Sequence, residues 1–168
     1  IDGLPQAQPR LGLRQELALP PVLTERMSFE GFRVVRELHV SDRSHVHLAV
    51  DEQTGQPLVL KLPSVALRDD TAYLERFVLE EWVAQRLHNP HVLRPYATQR
   101  PRTHLYVAME YIEGRTLARW MMDHPAPDLD SVRSLAAQVA KGLQAFHRKE
   151  MLHQDLRPEN IMIDRSGS

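Results

Sequence analysis

Three early stretches carry apolar and β-branched residues in strand-like runs: "GFRVVRELHV" (31–40), "HVHLAV" (45–50) and "PLVLKLP" (57–63). The polar "SDRS" and the turn-rich "DEQTGQ" separate them, which predicts an antiparallel meander. In "LVLKL" the alternation assigns Leu58, Leu60 and Leu62 to one face and Val59 with Lys61 to the other. The period then changes. Residues 72–88, "AYLERFVLEEWVAQRLH", place apolar side chains at helical spacing, and Asn89-Pro90 stops that helix. Two more strands are expected at "VLRPYAT" (92–98) and "HLYVAMEYI" (104–112). After Gly114 the pattern turns helical, with a short helix at "TLARWMMD" and a longer one over 131–148. The longer one carries Val132, Leu135, Ala136, Val139, Leu143 and Phe146 on one stripe. Residues 1–27 mix prolines with scattered leucines and read as a linker. The layout is a strand-rich unit holding one helix, joined near residue 113 to a helical unit.

Composition narrows the classes. The chain is 42% apolar and 26% charged, as soluble globular proteins are, and its net charge of -1 gives no basic field for nucleic acid. The absence of cysteine removes disulfides and thiol chemistry and fits a reducing, cytoplasmic compartment. No apolar run approaches the ~20 residues of a membrane-spanning helix, and no signal pattern precedes the first strand. The first residue is Ile1 rather than Met, so the chain reads as a piece of something longer.

Only three of the 21 basic residues are lysines. A lysine on a strand face is ordinarily solvated, yet Lys61 has a prospective partner. On the following helix Tyr73, Phe77, Ala84 and Leu87 form an inward stripe with Glu80 in its middle, while Glu81 points about 100° away. A carboxylate on a buried stripe is costly unless paired, so Glu80 is expected to meet Lys61. Downstream, "HQDLRPEN" (153–160) sets Asp155 and Asn160 on a loop that Pro158 keeps from being a regular helix. A carboxylate that can deprotonate a hydroxyl, beside a carboxamide that can hold a hard cation, suits phosphoryl transfer.

"MLHQDLRPENIMID" resembles the catalytic loop of protein kinases, His-Arg-Asp-Leu-Lys-Pro-Glu-Asn followed by a strand. "VLK", "FVLEEWVAQRLHNPHVL" and "LYVAMEYIEGRTL" resemble, in the family's order, its strand lysine, its helix with a glutamate and its hinge. The spacings agree as well, with 15 residues from Val46 to Lys61, 19 from there to Glu80 and 75 more to Asp155. The resemblance implies an α+β, protein-kinase-like fold. A five-stranded antiparallel sheet with the family's αC helix would form an N-lobe and hinge over 28–113. The first helices and the catalytic loop of a truncated helical C-lobe would follow over 114–168.

It also implies roles. Lys61, held by Glu80, would bind ATP phosphates, Asp155 would accept the substrate proton and Asn160 would ligate Mg2+. Val46 and Val59 would cover adenine, Met109 would be the gatekeeper, and backbone groups of Glu110 and Ile112 would bind the base. The wording after the aspartate is that of serine/threonine kinases, with protein substrates, and Arg157 stands where a phosphate-contacting lysine is usual. More narrowly, the chain resembles bacterial proteins in which a PP2C-type phosphatase domain precedes the kinase, which would make residues 1–27 an interdomain tether.

Departures qualify those roles. The three glycine positions of the nucleotide lid hold His39, Ser41 and Ser44, and Asp42 sits at the tip, so a weaker lid is expected with Ser41 and Ser44 as its remaining phosphate contacts. Gln154 replaces the arginine through which a phosphorylated activation loop acts. The chain ends before any Asp-Phe-Gly sequence, so by itself it is expected not to turn over. Two rivals stand beside the kinase reading: a pseudokinase serving as a regulatory nucleotide-binding module, and a kinase-like small-molecule phosphotransferase. The histidines of "HVH" (45–47) and "HNPH" (88–91) have ligand-like spacing but are expected to be satisfied or exposed rather than metal-bound. His153 is expected to pack under the catalytic loop.

Overall fold

The computed structural model describes residues 17–151, 153 and 156–168. Five antiparallel strands lie side by side in chain order: β1 (Ser28–Phe29), β2 (Phe32–Val40), β3 (Ser44–Asp51), β4 (Pro57–Pro63) and β5 (Val107–Glu110). The β1–β2 turn needs two left-handed residues, Glu30 (φ 55°) and Gly31 (φ 80°), which is the geometry that matches strand twist in a two-residue hairpin.

The expected meander is present, and Leu58, Leu60 and Leu62 are buried on one face of β4 as the alternation requires. They pack with Phe29, Phe32, Val34, Ala49, Tyr106 and Ala108. The fifth strand is not the expected one. "VLRPYAT" makes only an isolated bridge, Pro95 to Met109, and β1 takes the fifth place. Pro95 has no N–H to give a ladder, so only its neighbours bond: Tyr96 N–H donates to the Ala108 carbonyl and Glu110 N–H to that of Arg94, both at 2.9 Å.

Helix α1 (Thr71–Ala84) begins where the Asp70 carboxylate accepts from Tyr73 N–H at 2.9 Å. It crosses the sheet edge with Tyr73 and Phe77 packed on Leu105 and Val107. The described part of the expected linker lies against the lobe. Ala18 N–H donates to the Thr103 carbonyl, Leu105 N–H donates back to Ala18, and Leu17 joins the Tyr73–Phe77 cluster. Leu23 sits in the main core at 5% exposure.

Beyond β5, a two-stranded ribbon pairs β6 (Gly114–Thr116) with β7 (Met162–Asp164), bracketing α2 (Leu117–Asp123) and α3 (Leu129–His147). Helix α3 starts two residues earlier than its stripe suggests, because Asp128 caps the Ser131 amide at 2.8 Å. Leu135, Val139, Leu143 and Phe146 are half-buried, whereas Val132 and Ala136 are exposed. Its one buried residue is Gly142, where a Cβ would lie 2.8 Å from the His91 carbonyl oxygen.

Gly114 is tighter still. A Cβ there would stand 1.9 Å from the Ile163 carbonyl oxygen, so the ribbon closes only over a glycine. Gly114→Ala is expected to cost about 2–3 kcal/mol by forcing β6 off β7. Gly55→Ala, with nothing within 4 Å but φ at 72°, should cost only about 1 kcal/mol for the left-handed backbone. Urea midpoints of the two variants check this ranking.

Candidate active site

Strand register assembles one face from three strands, β3, β4 and β5. Val46 pairs with Lys61 and Lys61 with Val107, while Leu48 pairs with Val59 and Val59 with Met109. Directly paired residues share a face, so Val46, Leu48, Val59, Val107 and Met109 make an apolar surface with Lys61 as its cation. Leu48 and Val107 escaped the sequence reading, although the period-two rule places Leu48 beside Val46. Met109 also reaches the cluster of Tyr73 and Phe77 under α1, which puts it at the back of this surface.

Lys61 Nζ lies 2.5 Å from Glu80 Oε2 and 5.8 Å from the centroid of the Phe77 ring. The expected pair therefore forms, but not as a buried one: the Glu80 side chain is 57% exposed and that of Lys61 25%. The stripe explains the difference. Tyr73 and Phe77 are the buried residues of α1, and one turn later the helix has reached the rim of the lobe. The residue expected to face away is the better buried acid. Glu81 takes both Arg102 Nη atoms at 2.7 and 2.8 Å with its side chain 15% exposed, and the Arg102 guanidinium lies 4.4 Å from the Tyr106 ring centroid. This fork ties α1 to the segment before β5 and so holds the turn that carries Glu80. Nothing local signals it, since 21 residues separate the partners.

The lid between β2 and β3 closes on itself. Ser41 N–H donates to the Ser44 carbonyl at 3.0 Å, and the Ser41 hydroxyl accepts from the amides of Arg43 and Ser44 at 3.3 and 3.2 Å. Two amides that could have faced a phosphate are thus turned into the loop. The Tyr73 hydroxyl donates to the Arg43 carbonyl, so the lid's root is bonded to α1. Burial raises the Tyr73 pKa, which keeps that donor protonated.

At the hinge, Glu110 N–H is committed to the Arg94 carbonyl, and its carboxylate accepts from Arg94 N–H at 2.8 Å. Of its two main-chain groups, only the carbonyl is left to meet a base. Ile112 follows, half-buried, in the stretch between β5 and β6.

Asp155 and Gln154 lie outside the described residues. The described residues on either side of them are anchored. His153 is half-buried with its ring 5.1 Å from that of Phe146, and Leu117 N–H donates to the Ile161 carbonyl at 2.8 Å. Asn160 ends a 3-10 turn over Pro158–Asn160, its N–H bonded to the Arg157 carbonyl at 2.9 Å, and both Asn160 and Arg157 are exposed. An apolar face with one cation at its edge can take a ligand that is apolar at one end and anionic at the other. The carboxamide turn fits a hard cation.

Residues 32–168 match the protein kinase domain family. The serine/threonine-protein kinase PknL of Mycobacterium bovis is 32% identical over 124 residues, covering 74% of this chain and 31% of that protein. PknI of Mycobacterium tuberculosis, also a serine/threonine-protein kinase, is 32% identical over 145 residues, covering 84% of this chain and 24% of that protein. The chain thus spans less than a third of the length of these relatives. The crystal structure of the M. tuberculosis PknI kinase domain superposes with a TM-score of 0.71 at 29% identity, over 85% of this chain and 58% of that one. The apo form of PpkA-294 reaches 0.75 at 19% identity, over 87% and 59%, a likeness of fold.

Proposed function

The chain belongs to the protein kinase domain family, and from that premise we propose that the whole protein transfers the γ-phosphate of ATP to serine or threonine hydroxyls of other proteins. The observation that carries this is the Lys61–Glu80 contact of 2.5 Å at the edge of an apolar sheet face. In this reading residues 28–113 are the nucleotide-holding lobe and hinge, and residues 114–168 begin the lobe that presents the substrate. Val46, Val59 and the added Leu48 clasp the adenine, with Met109 behind it. Main-chain groups of Glu110 and Ile112 set its edge. Lys61 neutralises the phosphates, with Glu80 as its positioning residue. Ser41 and Ser44 line a lid that contributes little, because its amides are spent within the loop.

ATP would supply the activated phosphoryl group, and Asn160 would hold Mg2+, whose chemistry there would be to neutralise phosphate charge. Asp155 accepts the proton of the attacking hydroxyl, and Arg157 contacts the transferred phosphate. Such catalysis is chiefly positioning and electrostatic, so a lid that binds weakly raises KM for ATP more than it lowers kcat. No helix among the described residues is long and apolar enough to cross a membrane. We place the domain in the cytoplasm, where its ATP is, and extend the reading to a PP2C-type phosphatase domain ahead of residue 1 on the sequence resemblance alone.

The self-bonded lid also favours a second reading, a pseudokinase that binds nucleotide without transferring phosphate. Incubating the full-length protein with γ-labelled ATP and Mg2+ separates the two. Label on phosphoserine or phosphothreonine supports the kinase. Nucleotide binding with no transfer leaves the regulatory module, and label on small alcohols but never on protein points to a small-molecule phosphotransferase.

A further inference from the structure

On the sheet face opposite Lys61, β2 and β3 bring together three side chains that the phosphoryl-transfer site does not use. Glu37 stands directly across from His47, and His45, two residues along β3, shares that face. The β2 register shifts between Glu37 and His39, so the strand pair is kinked where the acid sits. One ligand atom from each of Glu37, His45 and His47 lies within 4.8 Å of the others. Among the described residues this is the only such group, and His88 and His91, the other pair noted in the sequence, do not join one.

His47 is the informative member. It is 2% exposed, and its Nδ1 is buried with no hydrogen-bond partner, against the rule that buried polar atoms are satisfied. The sequence expectation of a satisfied histidine is wrong at this position. Glu37 is exposed and His45 half-buried, which leaves the group open on one side.

We propose that Glu37, His45 and His47 form a binding site for a divalent transition-metal ion of the Zn2+ class, bridging β2 to β3 behind the nucleotide lid. Two imidazoles and one carboxylate are a donor set that zinc accepts with water in the fourth place. Mg2+ prefers an all-oxygen shell, so the site is separate in kind from the one that serves phosphoryl transfer. Because Ser41–Ser44 is the loop joining the two strands, an ion here fixes the root of the lid. Zinc-class metal would then stiffen the part of the nucleotide cleft that glycines leave flexible in other kinases.

The test uses the full-length protein, stripped with a chelator and titrated with Co2+ and then Zn2+. One equivalent of Co2+ is expected to give the visible absorption of a low-symmetry N/O site, bleached by Zn2+ and untouched by Mg2+. Glu37→Gln and His45→Gln, substitutions on the open side that leave the core intact, should each weaken that binding by at least about tenfold. His88→Gln with His91→Gln should not. Zn2+ should also slow amide exchange at residues 41–44 in the wild-type protein and not in Glu37→Gln/His45→Gln. Metal titrations of the wild type and this double variant that superimpose, whether both bind or neither does, would overturn the proposal.

Discussion

Replacing Lys61 by methionine in the full-length protein is expected to slow phosphoryl transfer by about 10²–10³-fold, while the stability of the lobe changes by less than about 1 kcal/mol. The two halves of that expectation rest on one ion pair. With the Glu80 side chain 57% exposed and that of Lys61 25% exposed, the ion pair sits in screened surroundings and adds little to folding. Its worth lies in where it holds an ammonium, at the edge of the surface made by Val46, Leu48, Val59, Val107 and Met109. Methionine keeps the apolar stem and removes only the charge. A transfer rate within about threefold of wild type would remove Lys61 from the phosphate site.

The same geometry predicts how the partners combine. Glu80→Gln should fall between wild type and Lys61→Met, because the ammonium remains but loses the group that fixes it. The double variant should be no slower than Lys61→Met alone, since a positioning residue has nothing left to position. Asp155→Ala should abolish transfer by a separate route, through the proton of the attacking hydroxyl, and leave ATP binding unchanged. Phosphate incorporation and ATP binding, measured side by side, distinguish these two losses.

What the sequence made legible was whatever repeats at short range. The alternation in "LVLKL" put Leu60 inside and Lys61 on the opposite face, and the helical spacing of residues 72–88 found α1 and the approach of Glu80. The errors fall where distant segments compete. Glu80 emerges at the rim because the buried residues of the helix, Tyr73 and Phe77, lie in its first half, and a stripe drawn on one helix carries no information about how far its partner surface extends. Pro95 turned an expected strand into a single bridge, and the two-residue β1 was too short to show a period. Glu81 with Arg102, like the docking of Leu17 and Ala18 against α1 and residues 103–105, depends on contacts that no window of the sequence contains.

The largest stability effect should come from a residue with no part in the chemistry, Asp51 at the end of β3. Its carboxylate is 3% exposed as a residue and accepts from Arg100 Nη1, from the Tyr96 hydroxyl and from Gln53 N–H, each at 2.9 Å. Arg100 lies 4.6 Å from the ring centroid of the fully buried Phe32, and its Nε and Nη2 are buried without partners, so Asp51 is its counter-charge. Asp51→Ala leaves a guanidinium stranded against the core and is expected to cost about 3–5 kcal/mol, with Asp51→Asn costing less because it still accepts hydrogen bonds. The Arg100 hydrogen bond is the main cause holding the Asp51 carboxyl down to about 2, against the ordinary 3.8. A folded-state pKa below the unfolded one means that the stabilisation is complete above about pH 4 and is lost as the pH falls towards 2. Unfolding free energy of the lobe, followed by urea titration from neutral pH to pH 2, should therefore decline more steeply in the wild type than in Asp51→Asn. Parallel declines, or an Asp51→Ala variant within about 1 kcal/mol of wild type, would show that the Arg100 charge is solvated after all and that the aromatic contact with Phe32 alone secures this corner of the sheet.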